Sequence, residues 1–462
     1  MDASTARGPD LPLENRARSG LSRLTKLTQP QRRFLIFLAL GLAFIFRLAF
    51  GLCSPLWTGS EDEKQIYLIG LKFFTTRAWP WFGPDVTNTI QIPGALQGLL
   101  VGLPFYLLPL PEAPYILLNI LSFASLCLLA WYFARRLPEV PAWLIWSWLL
   151  TTPWTMNVST NIYNPSYVLT GSVLFFVGAL ETYPFLTAGV IPLRWANLMM
   201  GAGLLWVMQL HLSWIVLVPF AALSIYFQVK SRGKEAVVPG LWFILGAALI
   251  GCFLLPTYWR YGSGAGVGAA ARFNASNLAS YWNIVEGIPG RFLSFAGFEI
   301  PRFIGSNTTT RLAFLKTNPW LIPFTFVLTV VGLLQPLSLI VLSFTKWQRE
   351  HWKAIKCLAL GTIVLLHVAF LFSAKSPLSH TFYVTLPIAT LFALYCWSRF
   401  LTEAFWQRFA AVCITCGIIF HAGVSVNNFS KSSLYVDRGR VVEAIKSRDY
   451  RVMGERRAGA KY

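Results

Sequence analysis

The sequence predicts an all-α, polytopic membrane protein with about eleven transmembrane helices, and three observations carry that reading. Of 462 residues, 55% are hydrophobic and only 13% are charged, where an ordinary soluble domain has roughly a quarter charged. The mean hydropathy is +0.55. Apolar runs long enough to cross a bilayer recur between residues 34 and 425, separated by polar links. The seven cysteines sit mostly inside these runs without metal-type spacing, which points to buried thiols and not to a disulfide framework. A net charge of +20 could suit nucleic acid, but in a membrane chain it reads as loop charge that sets orientation and touches anionic lipid. Membrane lipids are therefore the expected partner and nucleic acid is not.

Residues 1–33 form a polar N-terminal segment with Arg7, Arg16, Arg18, Arg23, Lys26, Arg32 and Arg33. It has no cleavage-site pattern, and the run at 34–52, "FLIFLALGLAFIFRLAFGL", is long enough to stay as an anchor. The first span thus runs from inside to outside. The next run, 92–110, is interrupted by Pro93, Pro104 and Pro109. If it crosses, Arg135 and Arg136, the cluster Lys230, Arg232 and Lys234, and the cluster Lys346, Arg349, Lys353 and Lys356 all fall outside. If it lies along the outer surface as a juxtamembrane helix, all three fall inside, as the positive-inside rule expects. The second reading is adopted. Ten further spans follow at about 112–134, 141–155, 166–181, 195–209, 211–228, 237–258, 319–344, 355–373, 378–398 and 406–425.

The domain organisation is then a basic cytoplasmic segment (1–33), a membrane domain (34–425) and a basic tail (426–462). Outer segments fall at 53–111, 156–165 and 259–318. Part of the tail, "RGRVVEAIKSRDY", has the pattern of an amphipathic surface helix. Its basic excess on the outer side runs against the charge rule, though long segments obey that rule poorly.

The polar clusters gather on the outer face. Glu61, Asp62 and Glu63 follow the first span and lead into "IYLIGLKFF", which would hold them against the membrane, and Arg47 is the only charged residue of that span. Snorkelling and solvation would account for these charges. A fixed carboxylate there would instead serve as a general base toward a hydroxyl, or hold a cation. In "TTPWTMNVSTNIYNPSYV", Pro153 and Pro165 bracket Asn157, Asn161 and Asn164. In "MQLHLSW", Gln209, His211 and Ser213 meet at a turn between spans, where polar groups are costly unless satisfied. The segment 259–318 carries Arg260, Arg272, Arg291, Arg302, Arg311 and Lys316 against Glu286 and Glu299, an excess that suits a phosphate. "SAKSPLSHTFYV" places Lys375 and His380 at the end of a helix, where both could meet one anionic group.

From about residue 45 to 225 the order of these stretches resembles the integral-membrane glycosyltransferases of the GT-C superfamily. The particular likeness is to bacterial relatives of the protein mannosyltransferase family (family 39) and of the aminoarabinose lipid A transferases. The residues that carry it are Asp62-Glu63 followed by Tyr67, "WPWFGPDV", "IPGALQGLLVGLPFYLLPLPEAPYILLNI", "LLTTPWTMNVSTNIYNPSYVL" and "QLHLSWIVLVP". Beyond residue 259 only the span layout is similar. The resemblance implies transfer of a sugar from a polyprenyl-phosphate donor to a lipid, glycan or protein acceptor, at the outer face of the plasma (inner) membrane. It implies that Asp62 or Glu63 is the base, with inversion at the anomeric carbon. Arg47, Tyr67, Asn161, Asn164, Gln209, His211, Arg291, Lys375 and His380 are the expected substrate contacts. Where many relatives have a second acid in the next outer loop, this chain has Asn161 and Asn164, so the identity of the base and any divalent metal requirement stay open. A transporter or flippase of lipid-linked sugars is the alternative. The absence of a repeat between the halves and the gathering of polar residues on one face argue against it.

Overall fold

The computed structural model describes residues 28–53, 61–87, 90–163, 165–262, 273–277, 287–305, 307–345, 350–373 and 377–454. The chain forms two compact units, Met1–Phe46 and Arg47–Tyr462. Helix α1 (Gln29–Cys53) begins in the first unit, where Phe34, Phe37, Leu42 and Ile45 are exposed. A helix with such a surface is suited to lipid. The second unit opens with the last turns of α1, followed by α2 (Glu61–Thr76), strands β1 (Phe82–Thr87) and β2 (Ile90–Pro93), α3 (Leu96–Gly102), α4 (Pro104–Leu107) and α5 (Ala113–Arg136). Then come α6 (Ala142–Thr151), α7 (Pro153–Ser159), α8 (Val168–Thr182), α9 (Leu193–Met208), α10 (Trp214–Arg232), α11 (Val237–Gly251) and α12 (Leu255–Tyr261). The rest is α13 (Ile288–Ser294), α14 (Pro301–Ile304), α15 (Thr308–Thr317), α16 (Ile322–Ser343), α17 (Trp352–Leu371), α18 (Leu386–Trp397), α19 (Ala404–Asn428) and α20 (Ser433–Ser447).

Among the described residues, six helical stretches are long and apolar enough to cross a membrane: Gln29–Cys53, Ala113–Arg136, Trp214–Gly251, Pro319–Ser343, Trp352–Leu371 and Ala404–Asn428. The chain is thus a helical membrane protein. Four other predicted spans, 141–155, 166–181, 195–209 and 378–398, fall on the shorter helices α6, α8, α9 and α18. The reason is local. Pro153 ends α6 and starts α7, and α18 is preceded by a 3-10 turn at Ser379–Thr385. Buried among neighbours, such irregular backbone is satisfied internally.

The proline-broken run at 92–110 becomes the pair α3 and α4, Leu96–Leu107. That is about 18 Å of helix against a hydrocarbon core of about 30 Å, short of a full crossing as one helix, as α6 and α18 also are. Before it stands an antiparallel hairpin, Phe82 opposite Pro93 and Asp85 opposite Gln91, which the all-α expectation did not contain. Small residues let the central helices approach closely. An added Cβ at Gly203 would lie 2.5 Å from the Gly171 carbonyl, joining α9 to α8, and one at Gly246 would lie 2.0 Å from the Leu198 carbonyl, joining α11 to α9.

Candidate functional site

The site is built where α2 meets the start of α5. The inner face of α2 buries Ile66, Tyr67, Leu68 and Leu71. It crosses α3 at Gly70 and Gly102, where a Cβ on Gly102 would lie 2.6 Å from the Gly70 carbonyl. Glu63 and Tyr67, four residues apart, share one face of α2. The Tyr67 hydroxyl donates to the Pro111 carbonyl at 2.7 Å, just before α5. From α5, the Tyr115 hydroxyl donates to Glu63 Oε1 at 2.6 Å. One turn on, Asn119 Nδ2 donates to the Thr160 carbonyl at 3.0 Å and to the Tyr115 carbonyl at 2.9 Å. Gly51, near the end of α1, packs so close that a Cβ there would lie 2.4 Å from the Thr160 carbonyl. The carboxylate of Glu63 is thus anchored over the junction of α1, α2, α5 and the segment after α7.

Of the two acids expected to act as base, Glu63 is the one whose surroundings are described. Asp62 stands in the first turn of α2, and its side chain lies outside the described residues, as do Asn164 and Lys375. Asn161 is buried, next in sequence to the Thr160 that receives Asn119.

The segment 159–163 also receives residues from the far end of the sequence. Ser159 Oγ and the Tyr383 hydroxyl are 2.8 Å apart, and the His380 ring stands edge-on to Tyr163 at 5.8 Å between centroids. Arg291 Nη1, on α13, donates to the Pro377 carbonyl at 2.8 Å. Arg291 is thus held to the start of the segment that carries His380, while Lys375, expected to join His380 at one anionic group, lies outside the described residues.

Arg47 is placed differently from the surface cation its position suggested. It is fully buried. Its Nη1 donates to the Leu150 carbonyl at 2.8 Å and its Nη2 to the Thr155 carbonyl at 2.9 Å. The Leu150 carbonyl lies in the last turn of α6, where the helix itself supplies no amide, and Thr155 lies in the first turn of α7. Beside it, His421 Nδ1 donates to the Gly417 carbonyl at 2.7 Å, and Asn157 Nδ2, held by the Pro153 carbonyl at 2.8 Å, donates to His421 Nε2 at 3.2 Å. That set of donors fits a neutral imidazole. Arg47, Asn157 and His421 are buried polar residues gathered at the α6–α7 break.

Gln209 lies by the hairpin, and His211 follows it in the turn after α9. Gln209 is fully buried, with Nε2 donating to the Ile250 carbonyl at 2.9 Å. Gly94, at φ 118°, is where the hairpin turns into α3, and an added Cβ there would lie 2.7 Å from Gln209 Oε1. His211 Nδ1 accepts from the Ser213 amide at 3.1 Å and lies 2.8 Å from its hydroxyl. Both residues hold the turn between α9 and α10.

The C-terminal helix closes one side. Asp437 of α20 pairs with Lys64 at 3.3 Å, Arg438 Nε with Glu112 Oε1 at 2.8 Å, and Arg448 stacks over Phe74 at 4.5 Å. The tail is therefore a helix docked on α2. Burial, reinforced by Glu112 and Glu63 and opposed by Arg438, holds the Tyr67 hydroxyl well above the usual tyrosine value. It stays a neutral donor. Among the described residues there is no group of three His, Cys, Asp or Glu side chains able to hold a metal ion.

Sequence reasoning missed Tyr115, Asn119 and Arg438. The first two had a signal: two polar residues at i and i+4 in the first turns of an apolar span share one face. Arg438 had none, since it is one of many basic residues in the tail. No family model matches the chain, and no curated protein or solved structure matches it.

Proposed function

We propose that the chain is a glycosyltransferase of the GT-C type, transferring a sugar from a polyprenyl-phosphate donor to an acceptor hydroxyl. The observation that carries this is the Glu63 carboxylate, held by the Tyr115 hydroxyl of α5 across 52 residues of sequence. In this reading Glu63, with Asp62 beside it in sequence, takes the acceptor's proton. The acceptor oxygen forms a bond to the anomeric carbon, the bond from that carbon to the phosphate oxygen breaks, and polyprenyl phosphate leaves with the electron pair, inverting the centre. A side chain within reach of the proton and a cation for the departing phosphate are the two requirements. Arg291, His380 and Arg438 supply candidates for the second.

In this reading the site is on the outer face of the inner membrane, an orientation that rests on the positive-inside rule, and the docked tail agrees with the parity of the eleven-span topology. Lys64 and Asp437 touch, so the chain crosses the membrane an even number of times between them, and ten of the eleven predicted spans lie in that interval. The assay is sugar transfer from polyprenyl-phosphate sugars by vesicles holding the wild type, Asp62→Asn, Glu63→Gln or the double variant. Loss of about 10²–10⁴-fold is expected for the variant lacking the base. Full activity in all three variants would sink the base assignment, and donor movement across the membrane without transfer would favour the flippase.

A further inference from the structure

Tyr167 ends the stretch "TNIYNPSY" and stands at the N-cap of α8. Two contacts set its height beside α5. Asn119 Nδ2 donates to the Thr160 carbonyl at 3.0 Å, and Ser125 Oγ donates to Thr170 Oγ1 at 3.1 Å, so Tyr167 lies level with the turn of α5 between Asn119 and Ser125. Its carbonyl accepts from Trp206 Nε1 at 2.8 Å, which ties its backbone to α9. The ring carries the hydroxyl to within electrostatic reach of Tyr67 and Tyr115, the two tyrosines that border Glu63.

Tyr167 is 1% exposed, yet its hydroxyl has no hydrogen-bond partner among the described residues. Asn119 is fully buried and half-used: Nδ2 donates twice, while Oδ1 has no partner among the described residues. Other hydroxyls of this junction are engaged. Tyr67 donates to the Pro111 carbonyl, Tyr115 donates to Glu63, and Ser159 pairs with Tyr383. Buried polar groups are nearly always satisfied, so two orphans beside the one anchored carboxylate call for a ligand. A hydroxyl that donates and accepts, next to an amide oxygen that only accepts, matches the hydroxyls of a ligand. A phosphate is a poor match, because Glu63 and Asn119 Oδ1 both present negative oxygen to it. A divalent ion is no better served, since the one carboxylate already accepts from Tyr115.

We propose that Tyr167, with Asn119 Oδ1, binds a ring hydroxyl of the donor sugar and so helps to set which sugar is accepted. The inference rests on the reading of Glu63 as the base, because the reacting sugar must then lie beside that carboxylate. Every donor of this class carries ring hydroxyls, whereas an acceptor needs only the one that reacts.

The test uses the full-length protein in vesicles and undecaprenyl phosphate carrying glucose, mannose or galactose, with undecaprenyl phosphate itself as the reference ligand. Wild type should bind at least one sugar-bearing lipid more tightly than the bare one. Tyr167→Phe should weaken that binding about two- to tenfold, the loss of one neutral hydrogen bond, and leave the affinity for undecaprenyl phosphate unchanged. Without ligand its unfolding temperature should stay level or rise, because the lost hydroxyl had no protein partner. Tyr183→Phe is the contrast: that hydroxyl donates to the Phe220 carbonyl at 2.7 Å, so its removal should lower the unfolding temperature and spare donor binding. Wild-type affinity for the sugar-bearing lipid in Tyr167→Phe would mean that water or the acceptor satisfies the hydroxyl, and would overturn the proposal. So would an equal loss for bare and sugar-bearing lipid, or an unfolding temperature below wild type. A wild type that prefers no sugar-bearing lipid sinks the glycosyltransferase reading itself, and this inference with it.

Discussion

The Tyr115 hydroxyl donates a 2.6 Å hydrogen bond to Glu63 Oε1, joining the first turn of α2 to the first turn of α5 across 52 residues of sequence. One carboxylate oxygen is therefore fixed by a neutral donor. Removing that donor should misplace the carboxylate without abolishing it. Tyr115→Phe is expected to lower kcat for sugar transfer about tenfold, close to one charge-assisted hydrogen bond, with KM for the donor unchanged. Steady-state kinetics in vesicles measure this. An unchanged kcat would mean that the bond serves packing only.

Arg47 closes the break between α6 and α7, and its loss should be felt as stability. Arg47→Met leaves the Leu150 and Thr155 carbonyls without the donors they now have. The Leu150 carbonyl, at the end of α6, is then unsatisfied, which costs about 1–3 kcal/mol. Arg47→Lys should recover only part of it, because a single ammonium cannot reproduce the guanidinium fork. Thermal unfolding in detergent reads the order wild type, Lys, Met; a Lys variant equal to wild type would show that one carbonyl carries the effect.

These two residues also show what could be read in advance. Arg47 stood out in the sequence as the lone charge of its span, but its partners are backbone carbonyls, and carbonyls carry no signature beyond Pro153. Glu63 stood out as an acid after an apolar run. Its partner Tyr115 was visible only as a polar residue four positions before Asn119. The break in the run at 92–110 was legible, because Pro93, Pro104 and Pro109 limit helix length locally, and the described helix there is the short pair Leu96–Leu107. The hairpin before it was not. Its two strands are held by pairing with each other and by the Gln65 side chain, whose Oε1 accepts from the Asp85 amide at 3.1 Å, and such long-range contacts leave no period in the sequence. The docking of α20 likewise depends on which two of many basic residues meet Glu112 and an acid of the tail itself.

The docking of α20 on α2 fixes which positions share a side. With the exposed Cys252 and Cys357 replaced by serine, single cysteines at Glu443 and at Thr76, both exposed, should react with a membrane-impermeant maleimide from the same side of sealed vesicles. Reaction from opposite sides would break the even count of crossings between them. The pairing itself is modest, because Arg438 is 47% and Glu112 24% exposed. A double-mutant cycle with Arg438→Gln and Glu112→Gln should give about 0.2–1 kcal/mol of coupling.

Tyr67 makes the stability of this end of the molecule depend on alkaline pH. Its hydroxyl is held well above the usual tyrosine value of 10.0, mainly by burial and then by Glu112 and Glu63. For a group whose folded pKa is raised, folding favours the protonated form. The contribution is complete below the unfolded value and is lost as pH rises toward the folded one, because only the unfolded chain releases its proton in that window. Tyr67→Phe deletes the hydrogen bond to the Pro111 carbonyl, a loss of about 1 kcal/mol, and removes this titration. The wild type should therefore exceed Tyr67→Phe in unfolding temperature by a constant margin from pH 7 to about pH 10, and the margin should shrink above that. Thermal unfolding of the two proteins across that range checks it. A margin that grew with pH would mean that the tyrosinate is stabilised in the fold, which the carboxylates of Glu112 and Glu63 argue against.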